Sequence, residues 1–132
     1  MPYIPWSDAL KVGVERIDTQ HEHLTAIINR LYDAYKQGDD QQILQETIAE
    51  LDDYVRTHFR DEQEFMREHG YTEIEDHIDQ HNDFIIKSVE YLLDYSNGKE
   101  RLTEDVLDYL TDWWLNHITR TDREMVQVVL AG

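Results

Sequence analysis

The sequence predicts an all-α protein, an up-down-up-down antiparallel four-helix bundle preceded by an irregular N-terminal arm. Three observations carry this. Helix breakers fall at Gly38-Asp39-Asp40, His69-Gly70 and Ser96-Asn97-Gly98, dividing most of the chain into four long segments. Each segment repeats inward-type residues at intervals of three and four, the spacing of one helix face. No segment alternates with the period of a strand, and the connections are short enough to make consecutive helices antiparallel neighbours. The 132 residues suit one compact domain, so residues 1–132 are expected to form a single unit with helices at roughly 18–37, 41–69, 73–96 and 103–130.

In chain order, residues 1–17 carry Pro2, Pro5 and Gly13 among apolar Tyr3, Ile4 and Trp6, and read as an arm laid on the bundle. The first helix shows the stripe His21, Leu24, Ile28, Leu31, Tyr35. The second shows Leu44, Ile48, Leu51, Val55, His58, Glu62, Phe65. Thr72 followed by Glu75 fits a capping box for the third helix, whose stripe is Ile74, His77, His81, Phe84, Ser88, Leu92, Tyr95. Thr103 precedes two acids in the first turn of the fourth, with Val106, Leu110, Trp113 and His117 facing inward. Gly70 and Gly98 stand where helices end.

Charge and composition narrow the function. With 29 acidic and 12 basic residues the net charge is -17, which opposes nucleic acid and anionic membranes. The chain has no cysteine, so thiolate zinc sites, iron–sulfur clusters and disulfides are excluded, and any metal must be held by histidine and carboxylate. The start, MPYIPWSDALK, lacks a basic region and an apolar core of signal length, and no apolar run matches a bilayer; a cytoplasmic protein without membrane attachment is expected.

The polar residues within the apolar stripes locate the chemistry. Burying histidine or carboxylate costs several kcal/mol unless the group is paired or metal-bound. In antiparallel helices, His21, His77 and His81, early in theirs, lie level with His58, Glu62, His117 and Asp122, late in theirs. All seven therefore meet at one end of the bundle. His58/Glu62 and His77/His81 are spaced i, i+4, which stacks two side chains on one face. His117 and Asp122 are five apart, about 140° around an ideal helix. The apolar register resumes one residue late at Asp122, Val126 and Val129, so a π-type bulge between His117 and Asp122 is expected. Five imidazoles and two carboxylates suit a pair of six-coordinate first-row metals, iron above all. With both carboxylates and one oxo or hydroxo group bridging, all but one coordination position is filled. One vacancy in a dry surround favours reversible binding of a small ligand over turnover.

These motifs, WSDALKVGVERIDTQH ending at His21, HFRDEQEFM from His58, GYTEIEDHIDQH through His81 and WWLNHITRTD from Trp113 to Asp122, resemble the hemerythrin family, specifically its single-domain bacterial members. The resemblance covers essentially the whole chain. It implies a non-haem di-iron centre with one iron on His77, His81 and His117, the other on His21 and His58, and Glu62 and Asp122 bridging. It further implies that dioxygen binds reversibly at the iron of His21 and His58, with no side chain acting as acid or base. Such a protein stores oxygen or delivers it, for instance to an oxygen-using enzyme, acts as a monomer and is not itself an enzyme. The alternatives are oxygen, redox or nitric oxide sensing or scavenging at the same centre, and di-iron oxidase or peroxidase activity. The Glu-x-x-His motif of ferritin-like oxidases does not occur in the chain.

Three positions depart from the family pattern. Trp114 stands where Leu is frequent, and its indole either narrows the route to the open iron or points outward. Thr72 replaces a common Pro and Arg123 a frequent Lys. His23 and His69 match no ligand and are expected to face solvent, while Leu24, Phe59, Phe84, Trp113 and Ile118 read as general core.

Overall fold

Glycines set where the helices stop. Gly38 and Gly70 both take positive φ, 76° and 65°, the left-handed conformation that ends a helix without a Cβ clash. At each, the next residue's N–H turns back to the helix, Asp39 to the Ala34 carbonyl at 3.1 Å and Tyr71 to that of Met66 at 3.0 Å. The third connection repeats the device, with Lys99 N–H bonded to the Asp94 carbonyl at 3.0 Å. In the computed structural model, which describes residues 3–131, these turns delimit four helices. Helix α1 is Glu15–Gln37 and α3 is Ile74–Ser96. Helix α2 comprises an α segment Gln41–Tyr54, a π segment Val55–Phe59 and a second α segment Arg60–Glu68. Helix α4 is built the same way from Leu102–Trp113, a π segment Trp114–Asp122 and Arg123–Ala131. Each helix packs on its two neighbours, α1 on α2 and α4, and α3 on α2 and α4, as an up-down-up-down bundle requires. No described helix is long and apolar enough to cross a membrane.

Local structure departs from the sequence reading at several points. Helix α1 begins at Glu15 rather than residue 18, because Asp18 turns its carboxylate back to accept from Val12 N–H at 2.7 Å and Gly13 N–H at 3.2 Å. The arm is correspondingly shorter and contains a single 3₁₀ turn, Asp8–Leu10; Met1 and Pro2 of the expected arm lie outside the described residues. It is clamped to α1 where Asn29 accepts from Ile4 N–H at 2.7 Å and donates to the Ile4 carbonyl at 2.8 Å. Thr72 does not cap α3, which starts after Glu73 with no side-chain cap. Thr103 is buried and donates its hydroxyl to Asp40 across the bundle end. In α3 the inward register after Phe84 passes through Tyr91, 3% exposed, while Leu92 is 54% exposed.

The interior is layered along the bundle axis. A large apolar core containing Leu24, Ile28, Leu31, Leu44, Leu51, Phe84, Val106 and Leu110 fills one part. A smaller cluster of Ile17, Phe65, Met66, Met125 and Val126 closes the opposite end. Between them lies a layer of buried polar side chains.

Candidate metal centre

Each helix sends polar side chains into this layer, and the seven residues singled out in the sequence are all there. His21 comes from α1, His58 and Glu62 from α2, His77 and His81 from α3, and His117 and Asp122 from α4; none is more than 2% exposed. His23 and His69 face solvent. The π segment of α4 spans the stretch between His117 and Asp122, where the extra residue per turn brings both onto the inner face. The π segment of α2, which the sequence did not announce, ends at His58-Phe59. His58 and Phe59, at its end, are both buried.

The donor atoms fall into two groups that share only the carboxylates. Glu62, His77, His81, His117 and Asp122 form one, and His21, His58, Glu62 and Asp122 the other, each with ligand atoms within 4.8 Å of one another. Each carboxylate turns one oxygen to each group. Glu62 Oε1 lies 2.5 Å from His77 Nε2 and 3.0 Å from His81 Nε2, and Asp122 Oδ1 lies 2.8 Å from His77 and 2.9 Å from His117. Glu62 Oε2 lies 3.0 Å from His58 Nε2, and Asp122 Oδ2 lies 2.9 Å from His21 Nε2.

Protons alone satisfy this layer poorly. His58 donates from Nδ1 to Gln20 Oε1 at 2.6 Å and His117 from Nδ1 to Gln80 Oε1 at 2.7 Å. A neutral imidazole that donates from Nδ1 presents a bare lone pair at Nε2. His58 Nε2, His117 Nε2, Glu62 Oε2 and Asp122 Oδ1 are accordingly buried without a hydrogen-bond partner. Acceptors facing acceptors in a dry interior call for positive charge, either extra protons on the imidazoles or metal cations. The ionisation balance shows the same demand. Burial opposes charge on His58, but Glu62 and Asp122 outweigh it and hold its pKa up at about 9. His77 is likewise opposed by burial and raised, to about 10, by the adjacent Asp122 and Glu62 carboxylates. Burial takes His81 down to about 4. Against burial, the histidines hold the Glu62 and Asp122 carboxyls well below the usual carboxylate range. The donor set therefore fits cations bound by imidazole and carboxylate.

Aromatic rings brace the imidazoles. Phe59 stacks on His81 with centroids 3.8 Å apart and planes 1° from parallel, and Trp113 stacks on His117 at 3.9 Å. Tyr54 lies over His58 at 4.9 Å. Phe59 and Trp113, read from the sequence as general core, thus touch the site directly. Tyr54 went unnoticed, although it precedes His58 by four residues as Trp113 precedes His117. Trp114 is 9% exposed and does not point outward. Its indole N–H donates to Thr25 Oγ1 at 2.9 Å, and Thr25 donates to the His21 carbonyl at 2.8 Å, which ties α4 to α1 one turn from His21. A recess of about 240 Å³ between α1 and α2, lined by Thr19, Gln20, His23, Asp53, Thr57 and Tyr54, reaches His58.

Known proteins are similar to this chain in sequence and fold. The hemerythrin HHE cation-binding domain matches residues 12–129. A bacteriohemerythrin of Pseudomonas aeruginosa is 33% identical over 129 residues, covering 98% of this chain and 83% of its own length. One from Clostridium acetobutylicum is 30% identical over 125 residues, covering 92% and 97%. The crystal structure of a leucine-to-tyrosine variant of hemerythrin superposes with a TM-score of 0.80 at 23% identity, covering 98% of both chains, which shows a common fold. With the family match extending over nearly all of its length, the chain belongs to the hemerythrin HHE cation-binding family.

Proposed function

We propose that this protein binds dioxygen reversibly at a non-haem di-iron centre, for oxygen storage or delivery, acting as a monomer and not as an enzyme. One iron would be held by His77, His81 and His117, the other by His21 and His58, with Glu62 and Asp122 bridging. The observation that carries this reading is the division of the carboxylate oxygens: Oε1 of Glu62 and Oδ1 of Asp122 face the three-histidine group, and Oε2 and Oδ2 face the two-histidine group. Carboxylates divided in this way would each offer a ligand atom to both ions. The two-histidine group supplies one protein ligand fewer, which favours exogenous ligand binding on that side, and the recess that reaches His58 lies on the same side.

When bound, the iron pair would supply the electrons that make dioxygen binding reversible. The chain's own work is to hold and to exclude. Apolar clusters above and below the polar layer keep bulk water away. Trp114, anchored to Thr25, closes the α1–α4 side near His21.

The test is an oxygen cycle on reduced, iron-loaded protein. Two irons per chain, with a visible charge-transfer band that appears under air and disappears when oxygen is removed, are expected. Irreversible bleaching with each exposure, or a band that never forms, would count against reversible binding.

A further inference from the structure

Three glutamines contact the outer nitrogens of the site's histidines, and they do so in a regular order. Gln20 on α1 meets His58 on α2 at 2.6 Å, Gln63 on α2 meets His81 on α3 at 3.0 Å, and Gln80 on α3 meets His117 on α4 at 2.7 Å. Every contact is made at Nδ1 and crosses from one helix to the next in the chain. Each glutamine is the sequence neighbour of a site residue, Gln20 of His21, Gln63 of Glu62 and Gln80 of His81. The backbone that places an inner ligand on one helix thereby places the support for a ligand on the following helix.

The amide orientation is fixed for Gln20. Its Nε2 donates to Asp61 Oδ2 at 2.7 Å, and Asp61 is 8% exposed. A carboxylate only accepts, so the amide nitrogen must face it and Oε1 must face the imidazole. His58 then donates from Nδ1 and keeps the Nε2 lone pair for the interior, and Gln80 does the same for His117. Gln63 stands with its amide nitrogen toward His81; half a turn of that amide presents oxygen to the same Nδ1 and produces the same tautomer.

The chemical type matters as much as the position. Metal-bound histidines usually donate their second N–H to a carboxylate, a backbone carbonyl or water, and a carboxylate raises the basicity of the ligand. This chain has 29 acidic residues, yet these three contacts are all made by uncharged amides. An amide fixes the ring without placing negative charge directly against it; at Gln20 the nearest carboxylate, Asp61, stands on the far side of the amide. Added negative charge would stabilise the more positive, oxidised metal pair.

The geometry points to Gln20, Gln63 and Gln80 as positioning residues that lock the imidazole tautomers while holding the reduction potential of the centre up, so that the reduced, ligand-binding form persists. This rests on the metal-centre reading above. The experiment compares wild-type protein with the Q63E and Q80E variants loaded with iron, and with Q80M loaded with zinc. Metal content of the wild type tests the metal-centre reading, and the difference between proteins of equal loading tests the glutamine role. The midpoint potential is expected to fall in each glutamate variant at unchanged iron content. In the zinc proteins, slowly exchanging Nδ1–H resonances of His58, His81 and His117 are expected in the wild type. Q80M should lose the His117 signal alone and weaken zinc binding roughly 10–100-fold. Unchanged potentials at equal loading overturn the proposal, as does a zinc-loaded wild type whose histidines carry no protected Nδ1–H. The zinc arm decides the matter even if a glutamate variant fails to fold or load.

Discussion

The two ends of the bundle solve opposite problems with the same helices. Where Leu24, Ile28, Leu31, Leu44, Leu51 and Leu110 meet, apolar side chains fill the interior and all four helices keep a regular α period. Where His58, His117 and Asp122 meet, α2 and α4 slip into π segments. Apolar packing tolerates small errors in direction, because dispersion and burial are not directional. Ligand atoms do not: Asp122 must turn its two oxygens to two different histidine groups. The difference teaches that helix irregularity here sits where orientation matters and is absent where only volume matters.

The sharpest way to break this contrast is to throw the irregularity out of phase. Inserting an alanine after Arg120, an exposed residue of the α4 π segment, is expected to rotate Asp122 by about 100° off the inner face. Metal analysis should show the site lost or reduced to fewer ions, while Arg120→Ala keeps full loading. In the regular half the pattern reverses. Leu31→Ala should cost about 2–5 kcal/mol of unfolding free energy, read from denaturant titration, with metal content unchanged.

Acid–base behaviour separates the halves again, since the buried histidines and carboxylates all lie in one of them. In metal-free protein His58 and His77 have folded pKa values of about 9 and about 10, above the ordinary histidine value of 6.5. Their contribution to stability is complete below about 6.5 and is lost as pH rises through 9 to 10. His81, lowered to about 4, and the depressed Glu62 and Asp122 carboxyls act on the acid side, where stability is lost as pH falls. Metal-free protein should thus be less stable at pH 10 than at pH 7 in urea titration. Metal-loaded protein should not show that alkaline decline, because cations replace the protons on His58 and His77. A smaller effect is expected at the border of the two halves. Trp114→Phe removes the indole donor to Thr25 and should cost about 0.5–1.5 kcal/mol in thermal or denaturant unfolding, with faster ligand exchange in stopped-flow measurements.

Much of this was legible in the sequence, for reasons that differ by residue. Gly38, Gly70 and Gly98 announced the turns because the left-handed conformation is selective. His21, His77 and His117 stood out because histidine within an apolar stripe needs an explanation. The π segment of α4 showed itself in a phase slip between His117 and Asp122. That of α2 left no such trace, since Leu51, Tyr54, His58 and Glu62 keep intervals of three and four. In the third helix, Tyr91 and Leu92 adjoin, and hydropathy alone selects the leucine, whereas the structure buries the tyrosine, with its hydroxyl 3.4 Å from the Asp105 carbonyl. The glutamines were invisible because a polar residue beside a ligand looks like surface until the neighbouring helix is in place.

The most direct test of the account is an anomalous-difference map at the iron edge from crystals of the iron-loaded protein. It should show two peaks between Glu62 and Asp122, one beside His77, His81 and His117 and the other beside His21 and His58. A single peak, or iron bound outside this layer, would contradict the two-metal centre.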